Sequence, residues 1–178
     1  RVAIMSRTRY EWTLLDFACW AAGLVPVPSY ETSSIDQVAH VLNDADVHLI
    51  ITETVSMAEI VRAAAERENR DNTHVLSLDS EAIDTLIADG ATTPRERVLA
   101  RSEALTKDDI ATIVYTSGTT GTPKGTVLSH ENFTNLCLNA HSWMPEIAAG
   151  KDSRLLLFLP VAHVLARLVM HVILSGQG

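Results

Sequence analysis

The chain has 178 residues, 47% of them hydrophobic, and a formal net charge of −8. This composition excludes an intrinsically disordered protein, because enough apolar side chains are present to build the core of one domain. The acidic surplus disfavours a nucleic-acid-binding protein, which would present a basic face. Cys19 and Cys137 lack metal-ligand or disulfide spacing. We therefore expect both to be buried small side chains in a protein of the reducing cytoplasm.

Apolar periodicity predicts alternating strands and helices in the first half of the chain. Strands are expected at 2–5, 25–28, 47–52 and 74–78, and helices at 10–24, 33–44, 55–68 and 80–88. Gly23 is well placed to end the first helix, and Ser33 or Ser34 can cap the second. Pro26 and Pro28 are tolerable in a strand that lies at the edge of a sheet.

The alternation continues in the second half of the chain. Residues 89–103 mix glycine, proline and charges, which predicts a long irregular connection. Beyond it, strands are expected at 110–115, 126–128 and 154–159, and helices at 129–143 and 164–174. The pattern predicts an α/β fold, with a mostly parallel layered sheet and flanking helices. One continuous unit is favoured over two subdomains that meet at 89–103.

A nine-residue run between two of these strands is the most informative segment. It reads Ser117-Gly118-Thr119-Thr120-Gly121-Thr122-Pro123-Lys124-Gly125. Its glycines let the backbone turn tightly and approach a ligand, and its hydroxyl and backbone N–H groups can donate to phosphate oxygens. The lysine adds a mobile positive charge. The mixture predicts a polyphosphate-binding loop and differs from the composition of a flexible linker.

The run also differs from the P-loop of GTPases and ATPases, whose G-x-x-x-x-G-K-[ST] pattern leads directly into a helix. Here Pro123 precedes the lysine and Gly125 follows it. A β-favouring segment, 126–128, then separates the loop from a helix that Ser129 can cap. No helix dipole beneath the phosphate is implied, so the hydroxyls and Lys124 must carry more of the binding.

The segment from Thr116 to Gly125 resembles the phosphate-loop signature of the adenylate-forming superfamily. That superfamily includes acyl-CoA synthetases, peptide-synthetase adenylation domains and beetle luciferases, which join a carboxylate to ATP and release pyrophosphate. The segment from Leu159 to Arg167 resembles the superfamily's next motif. Together with residues 10–23 and 27–32, it is most similar to long-chain acyl-CoA synthetases. The likeness spans residues 2–176 and implies part of the large N-terminal domain of an adenylate-forming enzyme.

This resemblance implies roles for residues in both motifs. The phosphate-loop residues are Thr116, Ser117, Gly118, Thr119, Thr120, Gly121, Lys124 and Gly125. Among them, Thr119, Thr120 and Lys124 are the expected catalytic residues, because they would stabilise charge as pyrophosphate leaves. His163 is expected at the acyl site. The Thr116 hydroxyl is expected to help hold Mg²⁺, since hard cations prefer oxygen ligands.

The resemblance further implies that ATP, Mg²⁺ and coenzyme A are used to convert a long-chain fatty acid to an acyl-adenylate and then a thioester. Superfamily members are roughly three times longer, so we expect residues 1–178 to be an inactive, partial AMP-binding domain. Alternatives are adenylation of an amino or aryl acid, and a non-catalytic nucleotide-binding module. We expect no nucleic-acid partner and at most peripheral membrane contact. The sequence does not indicate an oligomeric state.

Several polar side chains outside the motifs are interpreted as structural or surface groups. Three histidines on predicted strands or helices have no partner at useful spacing: His40, His48 and His74. Tyr115 is expected to support the loop from the strand before it. Arg167 and His171 lie one helical turn apart, and we expect them to face solvent or another domain.

Overall fold

The computed structural model describes residues 1–116, 122–148, 154 and 156–176. Strands and helices alternate in its first half, as predicted. The strands are β1 (Val2–Met5), β2 (Pro26–Ser29), β3 (Leu49–Thr52) and β4 (His74–Ser77). The helices between them are α1 (Tyr10–Ala21), α2 (Ile35–Asp44) and α3 (Val55–Arg67).

The second half begins with two helices and a two-stranded hairpin. Its elements are α4 (Ala82–Gly90), α5 (Arg95–Glu103), β5 (Ile110–Thr116), β6 (Lys124–Ser129), α6 (His130–Trp143), α7 (Pro145–Ala148) and α8 (Val164–Ser175). The expected order of strand, loop, strand and helix around the glycine-rich run is therefore confirmed. Among the helices of the described ranges, none is long and apolar enough to cross a membrane.

The first four strands form one parallel sheet in the order β2-β1-β3-β4, and β5 and β6 form a separate antiparallel pair. The mostly parallel α/β fold is therefore confirmed. β2 lies at the edge of the parallel sheet, where Pro26 and Pro28 cost least because an edge strand has fewer backbone partners to satisfy. β5 runs beside β2, and Thr112 Oγ1 donates to the carbonyl oxygen of Pro26 at 2.7 Å.

Helices cover both faces of the parallel sheet. Alternate residues of β1 point to opposite faces, so Ala3 and Met5 belong to one apolar cluster and Val2 and Ile4 to another.

Helices α2 and α3 complete the first cluster with Val38, Leu42, Val61 and Ala64. Helices α1 and α8 complete the second with Trp12, Leu15 and Met170. The core therefore fixes α8, at the end of the described chain, against the first strand.

The ends of α1 and α2 follow the predicted capping residues. Ser34 forms a capping box with Gln37: Ser34 Oγ accepts from the Gln37 N–H at 3.3 Å, and Gln37 Oε1 accepts from the Ser34 N–H at 2.9 Å. Gly23 follows the last turn of α1 with a φ of 68°, in the left-handed region that glycine adopts without strain.

The two cysteines differ in burial. Cys19 lies in the core, as predicted, and burial raises the pKa of its thiol to about 12. The thiol therefore stays protonated and unreactive at neutral pH. Cys137, on α6, is only partly buried, so the expectation that it would be a core residue is wrong.

The predicted irregular connection at 89–103 is wrong except at residues 91–94, because α4 runs to Gly90 and a further helix follows. Residues 95–103 form α5, and Pro94 stands at its N-cap with extended backbone. The breaking residues, Gly90 and Pro94, precede the helix, and its own sequence consists mainly of good helix formers. The mixed composition of residues 89–103 does not indicate that a helix begins directly after Pro94.

The strand predicted at 154–159 is also absent from the residues that the structure describes there, Arg154 and 156–159. Leu156 and Phe158 are 85% and 79% exposed. The apolar run resembles a buried strand, but a strand needs backbone partners on a neighbouring strand. No such neighbour pairs with these residues in the described part of the chain.

Arg167 and His171 lie inside the protein, so the expectation that they face solvent or another domain is wrong. Arg167 is fully buried, and its Nε and Nη2 atoms donate to the two carboxylate oxygens of Asp16 at 2.8 and 2.6 Å. His171 Nε2 lies 3.2 Å from Asp16 Oδ2. The partners are on α1 and α8, and periodicity within one helix does not reveal a pairing between helices so distant in sequence.

Aromatic rings surround the buried guanidinium group. The Cζ atom of Arg167 lies 5.7, 5.4 and 5.1 Å from the ring centroids of Trp12, Trp20 and Phe133. Its Nη1 atom has no hydrogen-bond partner within the described residues. The ring faces offer this atom partial electrostatic compensation, because they attract a cation.

We expect Asp16→Asn to lower the free energy of unfolding by about 3–5 kcal/mol, because the guanidinium of Arg167 would stay buried without an opposite charge. Urea unfolding followed by circular dichroism measures the change. The matched control is Asp36→Asn, which breaks an exposed ion pair with Arg67. That control is expected to cost less than about 1 kcal/mol.

The double variant Asp16→Leu with Arg167→Met is expected to be more stable than Asp16→Leu alone, because both charges are removed. If Asp16→Asn cost no more than Asp36→Asn, the buried charge pair would not have the importance that its geometry indicates.

Candidate functional site

An open cleft of about 260 Å³ lies at the carboxyl ends of β2 and β5. Residues from four parts of the chain line it, among them Ser29, Tyr30, Gln37, Thr116, Pro123 and His163. Ligands of open α/β sheets bind beyond the carboxyl ends of the strands. The cleft brings both ends of the predicted phosphate loop next to the second motif, although the two motifs are far apart in sequence.

The hairpin of β5 and β6 brings the two ends of the loop together. Thr116 and Lys124 face each other as the last paired residues of the hairpin. The loop therefore leaves the hairpin and returns to it at one place. The five residues at its centre lie outside the described residues: Ser117, Gly118, Thr119, Thr120 and Gly121. The roles expected of these five remain predictions.

Lys124 is the first residue of β6 and is exposed. It is not among the described residues that line the cleft, whereas Thr116, opposite it, is. Opposed residues of an antiparallel pair project from the same face of the hairpin. The lysine therefore stands beside the loop, where its long flexible side chain can approach a phosphate held there.

Gly125 has a packing role that the sequence did not reveal. It pairs with Tyr115 across the hairpin. A Cβ atom at this position would lie 2.9 Å from Ile113 Cγ2 and 3.2 Å from Tyr115 Cζ. Such contacts are shorter than packed atoms tolerate, so glycine is needed for Tyr115 to lie across β6. Whether Gly125 also contacts phosphate stays a prediction.

Two residues of helix α2 that are not among the described residues lining the cleft, His40 and Asp44, contact the two arms of the hairpin. Tyr115 Oη donates to Asp44 Oδ2 at 2.6 Å, and the tyrosine ring meets the His40 ring edge-on at 5.7 Å. His40 Nε2 lies 2.8 Å from the carbonyl oxygen of Pro123. Burial, followed by the Asp44 hydrogen bond, raises the pKa of Tyr115, so its hydroxyl remains a donor. These contacts agree with the expected supporting role of Tyr115, which stays a prediction, and His40 has a partner that its spacing did not indicate.

His163 is the N-cap residue of α8, and its exposed side chain lines the cleft. Its Nδ1 atom accepts from the Leu165 N–H at 3.3 Å, which leaves Nε2 as the protonated nitrogen of the neutral ring. The N-terminus of α8 carries a partial positive charge. His163 therefore offers a hydrogen-bond donor to an anion at a place where the helix N-terminus also favours negative charge.

Thr8 holds the second motif beside β1. Its Oγ1 atom donates to the carbonyl oxygen of Leu159 and accepts from the Val161 N–H, both at 3.1 Å. One hydroxyl thus fixes the chain just before His163. This contact could not be predicted from the sequence, because a threonine after a strand is common and its partners are distant along the chain.

Arg7 stands close to the strand ends, but its charge is already compensated. Its guanidinium and backbone N–H donate to the carboxylate of Glu53, a residue that is 5% exposed. These hydrogen bonds hold the pKa of Glu53 below its ordinary value. Arg7 is therefore engaged in an ion pair between the ends of β1 and β3, and we assign it no phosphate contact.

A magnesium ion fits this site only with phosphate oxygens as its main ligands. Across the described ranges, no three His, Cys, Asp or Glu side chains meet in a cluster that could hold a metal. The exposed Thr116 hydroxyl at the end of β5 is an oxygen donor next to the loop. A single hydroxyl suits a hard cation whose remaining ligands come from a nucleotide and water.

The fold and the cleft define an α/β domain with a hairpin loop at the ligand-binding edge of its sheet. Residues 1–177 match the family described as AMP-binding enzyme, and the chain belongs to this family. The family resemblance that the phosphate-loop run indicated is therefore confirmed.

Related sequences agree with this assignment. The chain is 43% identical over 171 residues to long-chain-fatty-acid–CoA ligase FadD15 of Mycobacterium tuberculosis, an alignment that covers 95% of this chain and 28% of that protein. It is 29% identical over 190 residues to long-chain-fatty-acid–CoA ligase 5 of Rattus norvegicus, covering 99% and 28%. The chain thus spans little more than a quarter of the length of these curated relatives.

Solved structures of the same fold confirm the architecture. ATP-bound MatB from Rhodopseudomonas palustris superposes with a TM-score of 0.75 and 26% identity, over 100% of this chain and 34% of that one. The inhibitor-bound N-terminal domain of FACL13 from Mycobacterium tuberculosis superposes with a TM-score of 0.72 and 30% identity, over 100% and 42%. The fold is that of the N-terminal region of adenylate-forming enzymes.

We expect Gly125→Ala to displace the Tyr115 ring and lower the free energy of unfolding by about 1–3 kcal/mol, because the new methyl group overlaps two side chains. Gly90→Ala is the matched control, since a Cβ atom there meets nothing within 4 Å. That control is expected to be neutral or stabilising by about 0.4–1 kcal/mol. Thermal unfolding compares the two variants, and equal effects would contradict the packing role of Gly125.

Proposed function

We propose that this chain supplies the phosphate loop and part of the acyl site of an enzyme that activates a long-chain fatty acid. The carboxylate attacks the α-phosphorus of ATP, which gives an acyl-adenylate and pyrophosphate. Coenzyme A then displaces AMP to form the thioester. The observation that carries the proposal is the cleft in which both ends of the loop, Thr116 and Pro123, meet His163. The similarity to long-chain-fatty-acid–CoA ligases supports the choice of acid.

The loop acts by positioning and by charge. Lys124, Thr119 and Thr120 hold the β- and γ-phosphates as pyrophosphate leaves, and the remaining loop residues give the backbone its close approach. The hairpin serves this purpose because it fixes both ends of the loop at one place. Thr116 would contribute one oxygen to Mg²⁺, which, when bound, supplies neutralising charge to the phosphates.

His163 acts on the carboxylate side of the reaction. It lies at the N-terminus of α8, and Nδ1 accepts from the Leu165 N–H, so Nε2 carries the proton of the neutral ring and can donate it in a hydrogen bond. A carboxylate placed in the cleft would meet this donor and the positive end of the helix. The role that follows is to orient the acid toward the α-phosphorus.

The complete activity requires a longer polypeptide. The chain covers 28% of its ligase relatives, and we propose that residues 1–178 form a partial adenylation domain that is inactive by itself. Contacts to adenine, ribose and coenzyme A are assigned to regions outside these residues. We place the enzyme in the cytoplasm, with at most peripheral contact to a membrane.

ATP–pyrophosphate exchange by the full-length enzyme tests the reaction and the acid together. The panel contains long-chain fatty acids, amino acids and aryl acids. We expect exchange only with long-chain fatty acids, because the proposed acid is one of these. Exchange with another class would keep adenylation and replace the substrate. ATP binding without exchange for any acid would contradict the proposal and favour a non-catalytic nucleotide-binding module.

Lys124→Ala is expected to slow exchange by about 100-fold, because one preorganised charge on the leaving pyrophosphate is lost. Its stability is expected to change by less than about 0.5 kcal/mol, since the side chain is exposed. Lys107→Ala is the matched control, because this exposed lysine pairs only with Glu131 among the described residues. Undiminished exchange by Lys124→Ala would remove the lysine from the mechanism.

A further inference from the structure

We propose that His40, Tyr115 and Asp44 form a brace that positions the phosphate loop for catalysis. None of the three is assigned contact with ATP, so they are positioning residues. The proposal rests on the proposed function for its catalytic readout only, since the contacts of the brace are visible in the fold itself.

The brace holds both arms of the hairpin at the place where the loop begins and ends. Tyr115 precedes Thr116 on one arm, and its hydroxyl donates to Asp44 at 2.6 Å. Pro123 precedes Lys124 on the other arm, and its carbonyl lies 2.8 Å from His40 Nε2. His40 and Asp44 are four residues apart on α2, so they project from one face of that helix.

Helix α2 is a fixed support for these contacts. Its N-terminus carries the Ser34–Gln37 capping box, and Val38 and Leu42 are buried in the core against the parallel sheet. The last pair of a hairpin ladder, here Thr116 and Lys124, is the place where a ladder opens most readily. Tying both arms to α2 therefore keeps the loop ends closed and keeps Lys124 beside the phosphates.

Two of the three brace residues, His40 and Asp44, contribute little to the core, whereas the ring of Tyr115 packs against it and is kept in Tyr115→Phe. Asp44 is exposed, His40 is half-buried, and neither is among the described residues that line the cleft. Their replacement therefore alters the geometry of the loop more than the burial of apolar surface. A purely structural role would change the melting temperature and leave the catalytic constants of the folded enzyme as they were.

The test uses the full-length enzyme and two pairs of variants. His40→Leu removes the donor to Pro123, and His40→Gln keeps an N–H at a similar reach. Tyr115→Phe removes the donor to Asp44, whereas Asp44→Asn keeps an acceptor oxygen. We expect His40→Leu and Tyr115→Phe to lower kcat for exchange about three- to tenfold, the worth of one hydrogen bond. In these two variants the KM for ATP is expected to change by less than about twofold. His40→Gln and Asp44→Asn are expected to keep both kcat and KM near the wild-type values.

A second readout is independent of activity. Amide hydrogen exchange at residues 122–126 is expected to accelerate about three- to tenfold in His40→Leu and Tyr115→Phe, because the arms open more often. Rates at β1 and β3 are expected to stay unchanged. If His40→Leu matched wild type in both kcat and amide exchange, the brace would be refuted. If wild type itself showed no ATP–pyrophosphate exchange, the proposed function would fail, and amide exchange would still decide the brace.

Discussion

The ion pair between Asp16 and Arg167 is the interaction on which the arrangement of the site depends. It joins α1 to α8 in the buried interior, and His163 is the N-cap residue of α8. A buried pair adds little net stability compared with apolar packing, but its two parallel hydrogen bonds are directional. We infer that the pair selects one rotation of α8 about its axis, and with it the direction in which His163 faces.

The two motifs of the site are held by different parts of the fold. The hairpin loop is attached to β2 through Thr112 and to α2 through Tyr115 and His40. The segment that leads to His163 is attached to the end of β1 through Thr8. Each attachment is a side-chain hydrogen bond to a neighbouring element, so the parallel sheet sets the distance between the motifs while single side chains set their orientation.

Local features of the sequence predicted most of the fold and the family correctly, while the phosphate contacts of the loop stay a prediction. The Ser34 cap, the Gly23 helix end and the alternation of strands depend on nearest neighbours along the chain. The errors concern contacts between distant elements. Arg167 appeared to be a surface residue because its partner lies on α1, and His40 appeared isolated because Pro123 is brought to it by the hairpin. Residues 154–159 looked like a strand because a pattern of apolar residues cannot show whether a neighbouring strand exists.

The two prolines of β2 affect how the loop can vary. Because Pro26 and Pro28 have no N–H, the edge strand cannot donate from these positions, and in the contact with β5 the Thr112 hydroxyl donates to the carbonyl oxygen of Pro26. The hairpin of β5 and β6 therefore stands outside the hydrogen-bond ladder of the parallel sheet, although Ile113 of β5 packs in the core. An insertion or a change of residue type in the loop would disturb the hairpin without passing through the hydrogen-bond ladder of the sheet. This separation allows residues of the loop to be changed while the parallel sheet is preserved.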